Sequence, residues 1–195
     1  KYLSIACSRW LKPWALTPEP IRTGTMLPSI TCSRSALEIS SCVNSSPEKC
    51  TCYQFSDFLC FNRYYGWYLL GGYEMQDAEE AFRAELDAWL AKGVNCPFVF
   101  TEYGCDNLQG EYKLPSVQWS AEYELEYLKI YERVFDSYDC IKGEQVWNFA
   151  DFQTVEGIMR VNGNKKGIFT RQRQPKAAAY YFKNRWEKLP VDYKG

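Results

Sequence analysis

The chain has 195 residues, 46% hydrophobic and 17% aromatic, which is enough for one domain of ordinary size. Its formal net charge of −1 gives no sign of attraction to nucleic acid or to a membrane surface. The sequence contains no histidine, which excludes Ser-His-Asp and Cys-His catalysis and histidine-ligated metals. Acid–base chemistry must therefore come from carboxylates, tyrosines or lysines.

The chain opens inside a predicted strand, at residues 3–6. It has no initiator Met and no signal peptide. No apolar run approaches the ~20 residues of a membrane span. We therefore expect a fragment of a longer, cytoplasmic protein.

Residues 7–55 differ in composition from the rest of the chain. They are rich in Ser, Cys and Pro, and the first aspartate of the chain is Asp57. They show no sustained helical or strand period, and a loop of this length is unusual inside a compact domain. The chain has nine cysteines, an odd number that leaves at least one unpaired. Free thiols in a reducing compartment are favoured.

From Asp57 onwards, strands and helices alternate. The predicted elements are a strand at residues 58–61, a helix at 75–92, a strand at 98–100, a helix at 120–135, a strand at 145–149 and a helix at 175–188. Ser120 is the predicted cap of the second helix, and Pro175 opens the third. The first helix has apolar residues on one face: Ala78, Phe82, Leu86, Trp89 and Leu90. This alternation predicts βα units on a parallel sheet.

Glu102 lies where the strand at residues 98–100 ends, in the motif Thr101-Glu102-Tyr103-Gly104. The C-terminal edge of a parallel sheet is where α/β barrels build their active sites. Glutamate is rarely buried without a partner, so this one needs an explanation. A solvated glutamate at a strand end is the alternative, and this motif alone favours it.

Three further motifs accompany T-E-Y-G: NRYYGWY at residues 62–68, EQVWNFADF at 144–152 and GNKKGIF at 163–169. The four motifs together resemble, in order, the C-terminal part of the catalytic barrel of β-glucuronidases in glycoside hydrolase family 2. The resemblance runs from about residue 57 to 189. Residues 7–55 do not match the family.

The resemblance implies an α/β fold that is the C-terminal portion of a (β/α)8 TIM barrel. This portion is incomplete, because a whole barrel takes ~250 residues. Residues 1–195 then form one partial catalytic domain. Its predicted strands, including residues 3–6, correspond to later strands of the barrel, and the fifth strand falls within residues 7–55.

The resemblance also assigns a reaction, the retaining hydrolysis of β-D-glucuronides, with Glu102 as the nucleophile. Retaining glycosidases use two carboxyl groups about 5–5.5 Å apart. The attacking carboxylate must be ionised and rigidly held. We expect Tyr103 or Tyr64 to donate the hydrogen bond that holds Glu102.

The second carboxyl group is missing from its family position. The family carries Asn-Glu-Pro after a strand ending in Ser-Ile-Ala, but here Ser8 stands where the glutamate belongs. Glu19 is disfavoured as a substitute, because it lies between prolines in a sequence that does not match. We hypothesise that residues 7–55 are translated out of frame. We expect the isolated chain to be inactive.

By the same resemblance, Asn164 and Lys166 bind the carboxylate at C6 of the sugar, and Arg160 lies near the same group. Other family positions near the sugar or the nucleophile are matched by Trp147, Tyr64 and Tyr68. Taken alone, the pair Lys165-Lys166 is equally typical of a solvated basic turn.

Two other functions are open. Six cations in one stretch favour an anion- or nucleic-acid-binding module: Arg160, Lys165, Lys166, Arg171, Arg173 and Lys176. The acidic central helices count against it. The second alternative is an inactive remnant that binds sugar. The main expectation is β-glucuronide ligands, no metal or cofactor, no nucleic-acid or membrane partner, and a homo-oligomeric parent.

Overall fold

Three strands and three helices alternate along residues 45–188, the part of the chain that the computed structural model describes. After a 3₁₀ helix at Cys52–Phe55, the elements are β1 (Leu59–Asn62), α1 (Met75–Ala91), β2 (Phe98–Tyr103), α2 (Ala121–Ser137), β3 (Ile141–Val146) and α3 (Ala177–Lys188). The predicted α/β order is confirmed. The predicted strand at residues 3–6 lies outside the described residues, as do Ser8 and Glu19.

The strands form one parallel sheet in the order β1-β2-β3. β2 is central, since Phe98 pairs with Leu59 on one side and with Ile141 on the other. The register shifts in both pairings near the last residues of the strands. Because the strands are parallel, their carboxyl ends meet at one edge of the sheet.

An aromatic cluster joins the sheet to the helices. Phe82 of α1 packs edge-on against Phe100 of β2, with ring centroids 5.4 Å apart. Phe135 of α2 lies 4.7 Å from Phe100, and Tyr131 of α2 stacks on Tyr103 at 5.2 Å. All five rings are buried, and burying a side chain of this size stabilises the fold by roughly 1.5–3 kcal/mol.

The predicted apolar face of α1 is confirmed for Ala78, Phe82, Leu86 and Trp89, which are all buried. Leu90 is the exception, at 39% exposed. It lies about 100° around the helix from Trp89, at the edge of this face, since an α-helix has about 3.6 residues per turn.

α2 begins as the sequence predicts. Ser120 precedes its first residue, and the Ser120 hydroxyl accepts a hydrogen bond of 3.2 Å from the backbone N–H of Tyr123. This bond satisfies one of the free N–H groups at the helix start. The predicted Ser120 cap is therefore confirmed.

β3 lies earlier than predicted, at Ile141–Val146 instead of residues 145–149. The reason is Glu144, whose carboxylate accepts hydrogen bonds of 3.0 Å from both Nε and Nη2 of Arg185 in α3. Trp186 Nε1 adds a third bond, of 3.2 Å. A carboxylate can be buried in a strand when a cation pairs with it. A strand that contains such a charge lacks the continuous apolar run by which a buried strand is predicted. The apolar residues after Val146 instead form the loop that carries Trp147.

Among the described residues, Cys60, Cys96, Cys105 and Cys140 are free thiols, as the composition favours. Within residues 45–188, no helix combines the length and the apolar character that crossing a bilayer requires.

Candidate active site

The edge formed by the carboxyl ends of the strands brings three of the sequence motifs together. The backbone N–H of Arg63, just after β1, donates to the carbonyl oxygen of Glu102 at 2.9 Å. The backbone N–H of Trp147, just after β3, donates to the carbonyl oxygen of Tyr103 at 2.8 Å. NRYYGWY, T-E-Y-G and WNFADF therefore meet through main-chain bonds.

Glu102 is held by Tyr64. The Tyr64 hydroxyl donates a hydrogen bond of 2.8 Å to Oε2 of Glu102. Burial, and next the bond to Glu102, raises the pKa of Tyr64 well above its usual range, so the hydroxyl stays a proton donor. Of the two tyrosines considered from the sequence, Tyr103 instead lies in the core and stacks on Tyr131. A donor aimed at a carboxylate stabilises its ionised form.

Gly104 is required by the turn that follows Glu102. Its φ is +152°, and a Cβ placed there would lie 2.3 Å from the carbonyl oxygen of Trp147. Its backbone N–H donates to the Tyr127 hydroxyl at 3.1 Å. Glycine alone allows the two chain segments to approach this closely.

Lys166 is fully buried and surrounded by four groups of the site. Its Nζ forms an ion pair with Oδ2 of Asp106. The same Nζ lies 4.7, 5.0 and 5.9 Å from the ring centroids of Tyr68, Trp67 and Tyr64. The Trp67 Nε1 donor is buried and has no hydrogen-bond partner within residues 45–188. Aromatic faces attract a cation, and an ion pair reduces the cost of burying one.

Asn164 is buried and fixed by its own loop. Its Oδ1 accepts from the backbone N–H of Lys166 at 2.9 Å and from Asn148 Nδ2 at 3.4 Å. The Asn148 backbone N–H also donates to the Lys166 carbonyl oxygen at 3.0 Å, which joins the fourth motif to the other three. Because Oδ1 already accepts these two hydrogen bonds, Asn164 can bind a ligand by donating from Nδ2.

Arg160 reaches the same cluster from a more exposed position. Its Nη2 donates to the Tyr68 hydroxyl, and its guanidinium carbon lies 5.6 Å from the Tyr68 ring centroid. Its Nη1 lies 3.6 Å from Oδ2 of Asp106. The side chains of Tyr64, Tyr68, Lys166 and Arg160 therefore form one connected set with Glu102.

Trp147 stands at the end of β3 and is 36% exposed. Its peptide bond to Asn148 is cis, and its ring lies 6.0 Å from that of Phe152. Its carbonyl oxygen faces Gly104. All the predicted site residues within the described range thus lie at this edge or in the loops beside it.

Asp106 and Lys176 belong to the site but were not predicted for it. Asp106 is fully buried against Lys166, and Lys176 is buried against Asp151. The sequence signal for Asp106 is its place four residues after Glu102, beyond a strand end. In the sequence, Lys176 was noted only as one of six clustered cations. That cluster favoured an anion- or nucleic-acid-binding module and gave no indication of a place in this site.

The six clustered cations do not share one surface. Lys166 and Lys176 are buried in ion pairs, whereas Arg171 and Arg173 are exposed. The stretch therefore lacks the continuous basic face on which the nucleic-acid interpretation depends.

Most of the chain is similar to known proteins. Residues 14–191 match the family described as glycosyl hydrolases family 2, TIM barrel domain. The chain belongs to this family, and its fold is part of that barrel. The match includes residues 14–55, so the expectation that residues 7–55 do not match the family is wrong for that part of the segment.

Curated relatives include a β-glucuronidase from Paenibacillus borealis, 47% identical over 143 residues, which are 73% of this chain and 24% of the relative. A β-glucuronidase from Felis catus is 39% identical over 137 residues, covering 69% of this chain and 21% of the relative. The chain thus spans about a quarter of the length of these relatives.

Solved structures of Ruminococcus gnavus β-glucuronidase are also similar. One has a TM-score of 0.72 and 64% sequence identity, and covers 75% of this chain and 25% of that chain. Another, in complex with D-glucuronic acid, has a TM-score of 0.71 and 64% identity, covering 73% of this chain and 25% of that one.

Proposed function

We propose that this chain is the nucleophile-bearing part of a longer enzyme that hydrolyses β-D-glucuronides with retention of configuration. One observation carries the proposal: Tyr64 donates a hydrogen bond to Glu102, while its ring also faces the buried Lys166. Glu102 and Lys166 thus lie on either side of Tyr64. Such a site suits a glucuronide, whose anomeric carbon would face Glu102 while its carboxylate would face Lys166.

Glu102 acts as the nucleophile in this mechanism. Its ionised carboxylate attacks the anomeric carbon, the bond to the leaving group breaks, and a covalent glycosyl-enzyme forms that water then hydrolyses. The hydrogen bond from Tyr64 orients Glu102 for attack. A second carboxyl group must protonate the leaving group and later activate the water.

Lys166, Asn164 and Arg160 bind the carboxylate at C6, which a neutral hexose lacks. Lys166 supplies a point charge, Asn164 an amide donor, and Arg160 a guanidinium group at the more exposed side. Trp147 contacts the sugar ring. The complex of the Ruminococcus gnavus relative with D-glucuronic acid supports this choice of ligand.

The first experiment uses a full-length protein that contains this chain and an aryl β-D-glucuronide. Glu102→Gln removes the nucleophilic oxygen and is expected to lower kcat at least a thousandfold. A 2-fluoro-glucuronide trap should label a peptide containing Glu102, as mass spectrometry would detect. Substantial turnover by Glu102→Gln, or a label elsewhere, would remove Glu102 from this role.

A second experiment tests the carboxylate site. Lys166→Ala should reduce kcat/KM for the aryl glucuronide far more than for the matching aryl glucoside, because only the glucuronide loses a charge partner. Equal losses on both substrates would contradict the assignment.

An inactive sugar-binding remnant is the second candidate, and Ser8 at the family's acid/base position is the observation that favours it. Sequencing the encoding DNA across residues 7–55 separates the two. A second frame that supplies Asn-Glu-Pro after Ala6 supports an active parent with a corrupted segment. A clean frame with a genuine Ser8 supports the remnant.

A further inference from the structure

Asp106 contacts both cations that are proposed to bind the sugar carboxylate. Its Oδ1 accepts a hydrogen bond of 2.8 Å from the backbone N–H of Lys165. Its Oδ2 forms the ion pair with Lys166 and lies 3.6 Å from Nη1 of Arg160. The Asp106 side chain is fully buried, so water does not screen these contacts.

The charges of this cluster do not cancel. Two cations, Lys166 and Arg160, share one carboxylate, which leaves one positive charge. Without Asp106 the two cations would repel each other, and Lys166 would be buried without a counterion. With Asp106 present, one further carboxylate neutralises the cluster, whereas a neutral sugar leaves it charged.

We propose that Asp106 is a positioning residue that holds Lys166 and Arg160 together as a receptor for a single carboxylate. It thereby sets the preference for a uronic acid over a neutral hexose. The inference rests on the proposed function, because it concerns the same sugar site. It adds a residue that acts through the two cations instead of touching the sugar.

The test compares two ligands that differ at C6 only. D-glucaro-1,5-lactone has a carboxylate there, and D-glucono-1,5-lactone has a hydroxymethyl group. Both are titrated calorimetrically into the full-length protein that contains this chain and into its Asp106→Asn variant. Asp106→Asn keeps the shape of the side chain and removes its charge. We expect at least a tenfold loss of affinity for glucarolactone and a change within twofold for gluconolactone.

Asp106→Glu is the matched variant, since it keeps the charge and moves it by one methylene. It should prefer glucarolactone more strongly than Asp106→Asn does. Equal losses for both lactones in Asp106→Asn, or an unchanged preference, would overturn the inference. So would an Asp106→Glu protein whose preference is no greater than that of Asp106→Asn.

A second background covers the case in which Asp106→Asn does not fold. Asp106→Asn is added to Lys166→Met, a background without the buried cation. Lys166→Met removes the buried cation that Asp106 pairs with, and Arg160 then has no second cation beside it. The added change should therefore alter the preference less than threefold, and a larger effect overturns the inference.

Binding and hydrolysis separate this inference from the proposed function. If the full-length protein prefers glucarolactone but cleaves no glucuronide, the proposed function is rejected. The Asp106 variants still test the role of Asp106 in that case. A parent without this preference rejects the role of Asp106, whatever its hydrolytic activity.

Discussion

Nζ of Lys176 lies 2.9 Å from Oδ1 of Asp151, at the point where three segments of the chain meet. The same ammonium group donates to the carbonyl oxygens of Asn107 and Lys165, at 2.9 and 2.7 Å. Oδ1 of Asp151 also accepts from the backbone N–H of Gly167, at 3.0 Å. One buried cation therefore ties the segment after β2, the segment after β3 and the loop that carries Lys166.

Lys176→Met should destabilise the protein by about 3 kcal/mol. The variant keeps the volume of the side chain but removes the ammonium group that pairs with Asp151 and donates to two carbonyl oxygens. Breaking a buried ion pair costs about 3–5 kcal/mol. Urea unfolding of the full-length protein that contains this chain measures the change. Lys183→Met in the exposed part of α3 is the control, with an expected change under about 0.5 kcal/mol. A loss no greater than the control's would contradict the structural role of Lys176.

Tyr64→Phe should lower kcat for an aryl glucuronide roughly 10–100-fold, because a hydrogen bond to a charged group is worth about 1.5–3 kcal/mol. KM should change less than threefold, since the ring that faces Lys166 stays in place. Steady-state kinetics separate the two parameters. Tyr73→Phe, at an exposed tyrosine, is the control. A Tyr64→Phe enzyme with unchanged kcat would show that Glu102 does not depend on this donor.

Glu124 gives the protein a pH-dependent stability. Burial raises the pKa of this carboxyl group from an ordinary value of 4.5 to about 7, against the opposing effects of Lys176 and the Asn107 hydrogen bond. Between these two pH values the folded state binds a proton that the unfolded state has released. The stabilisation that Glu124 provides in acid is therefore lost as the pH rises from about 4.5 to 7.

Glu124→Gln removes this titration. We compare the free energy of unfolding of Glu124→Gln with that of the unsubstituted protein. One pKa unit corresponds to about 1.4 kcal/mol, so the difference should shift in favour of the variant by up to about 3 kcal/mol between pH 5 and pH 8. Urea unfolding at both pH values measures it. The exposed Glu187→Gln should show no such change. A stability difference that is the same at both pH values would show that Glu124 does not titrate in this range.

The isolated chain should dimerise or aggregate. β1 and β3 form the two edges of the sheet within residues 45–188, and unpaired strand edges invite pairing with other chains. Val155 and Ile158 are 91% and 92% exposed, so apolar surface adds to the tendency. Light scattering after size exclusion measures the mass. A monodisperse monomer that unfolds cooperatively would contradict this expectation.

The parts of the fold that follow local rules were predicted well from the sequence. Helical spacing located the buried face of α1, and the hydroxyl of Ser120 marked the start of α2 within one residue. The order of strands and helices was sufficient to predict the parallel sheet. These signals depend on neighbours in the sequence, which a single chain displays directly.

The errors and omissions concern buried charges. Glu144 looked like a polar interruption, so β3 was placed too late, and Asp106 was not assigned a role. Lys176 was read as part of a basic surface. The side chain of each residue is buried because a partner at least 25 residues away in the sequence neutralises it. Such pairing depends on tertiary contacts, and local patterns carry little information about it.

Gly104 fixes the distance between two segments of the candidate site by main-chain contact. Because the carbonyl oxygen of Trp147 occupies the space that a Cβ would need, any other residue at this position would push the Glu102 segment away from the Trp147 segment. The spacing between these two main-chain segments therefore does not depend on the surrounding side chains. Those side chains can change in evolution while the separation of the two segments stays constant.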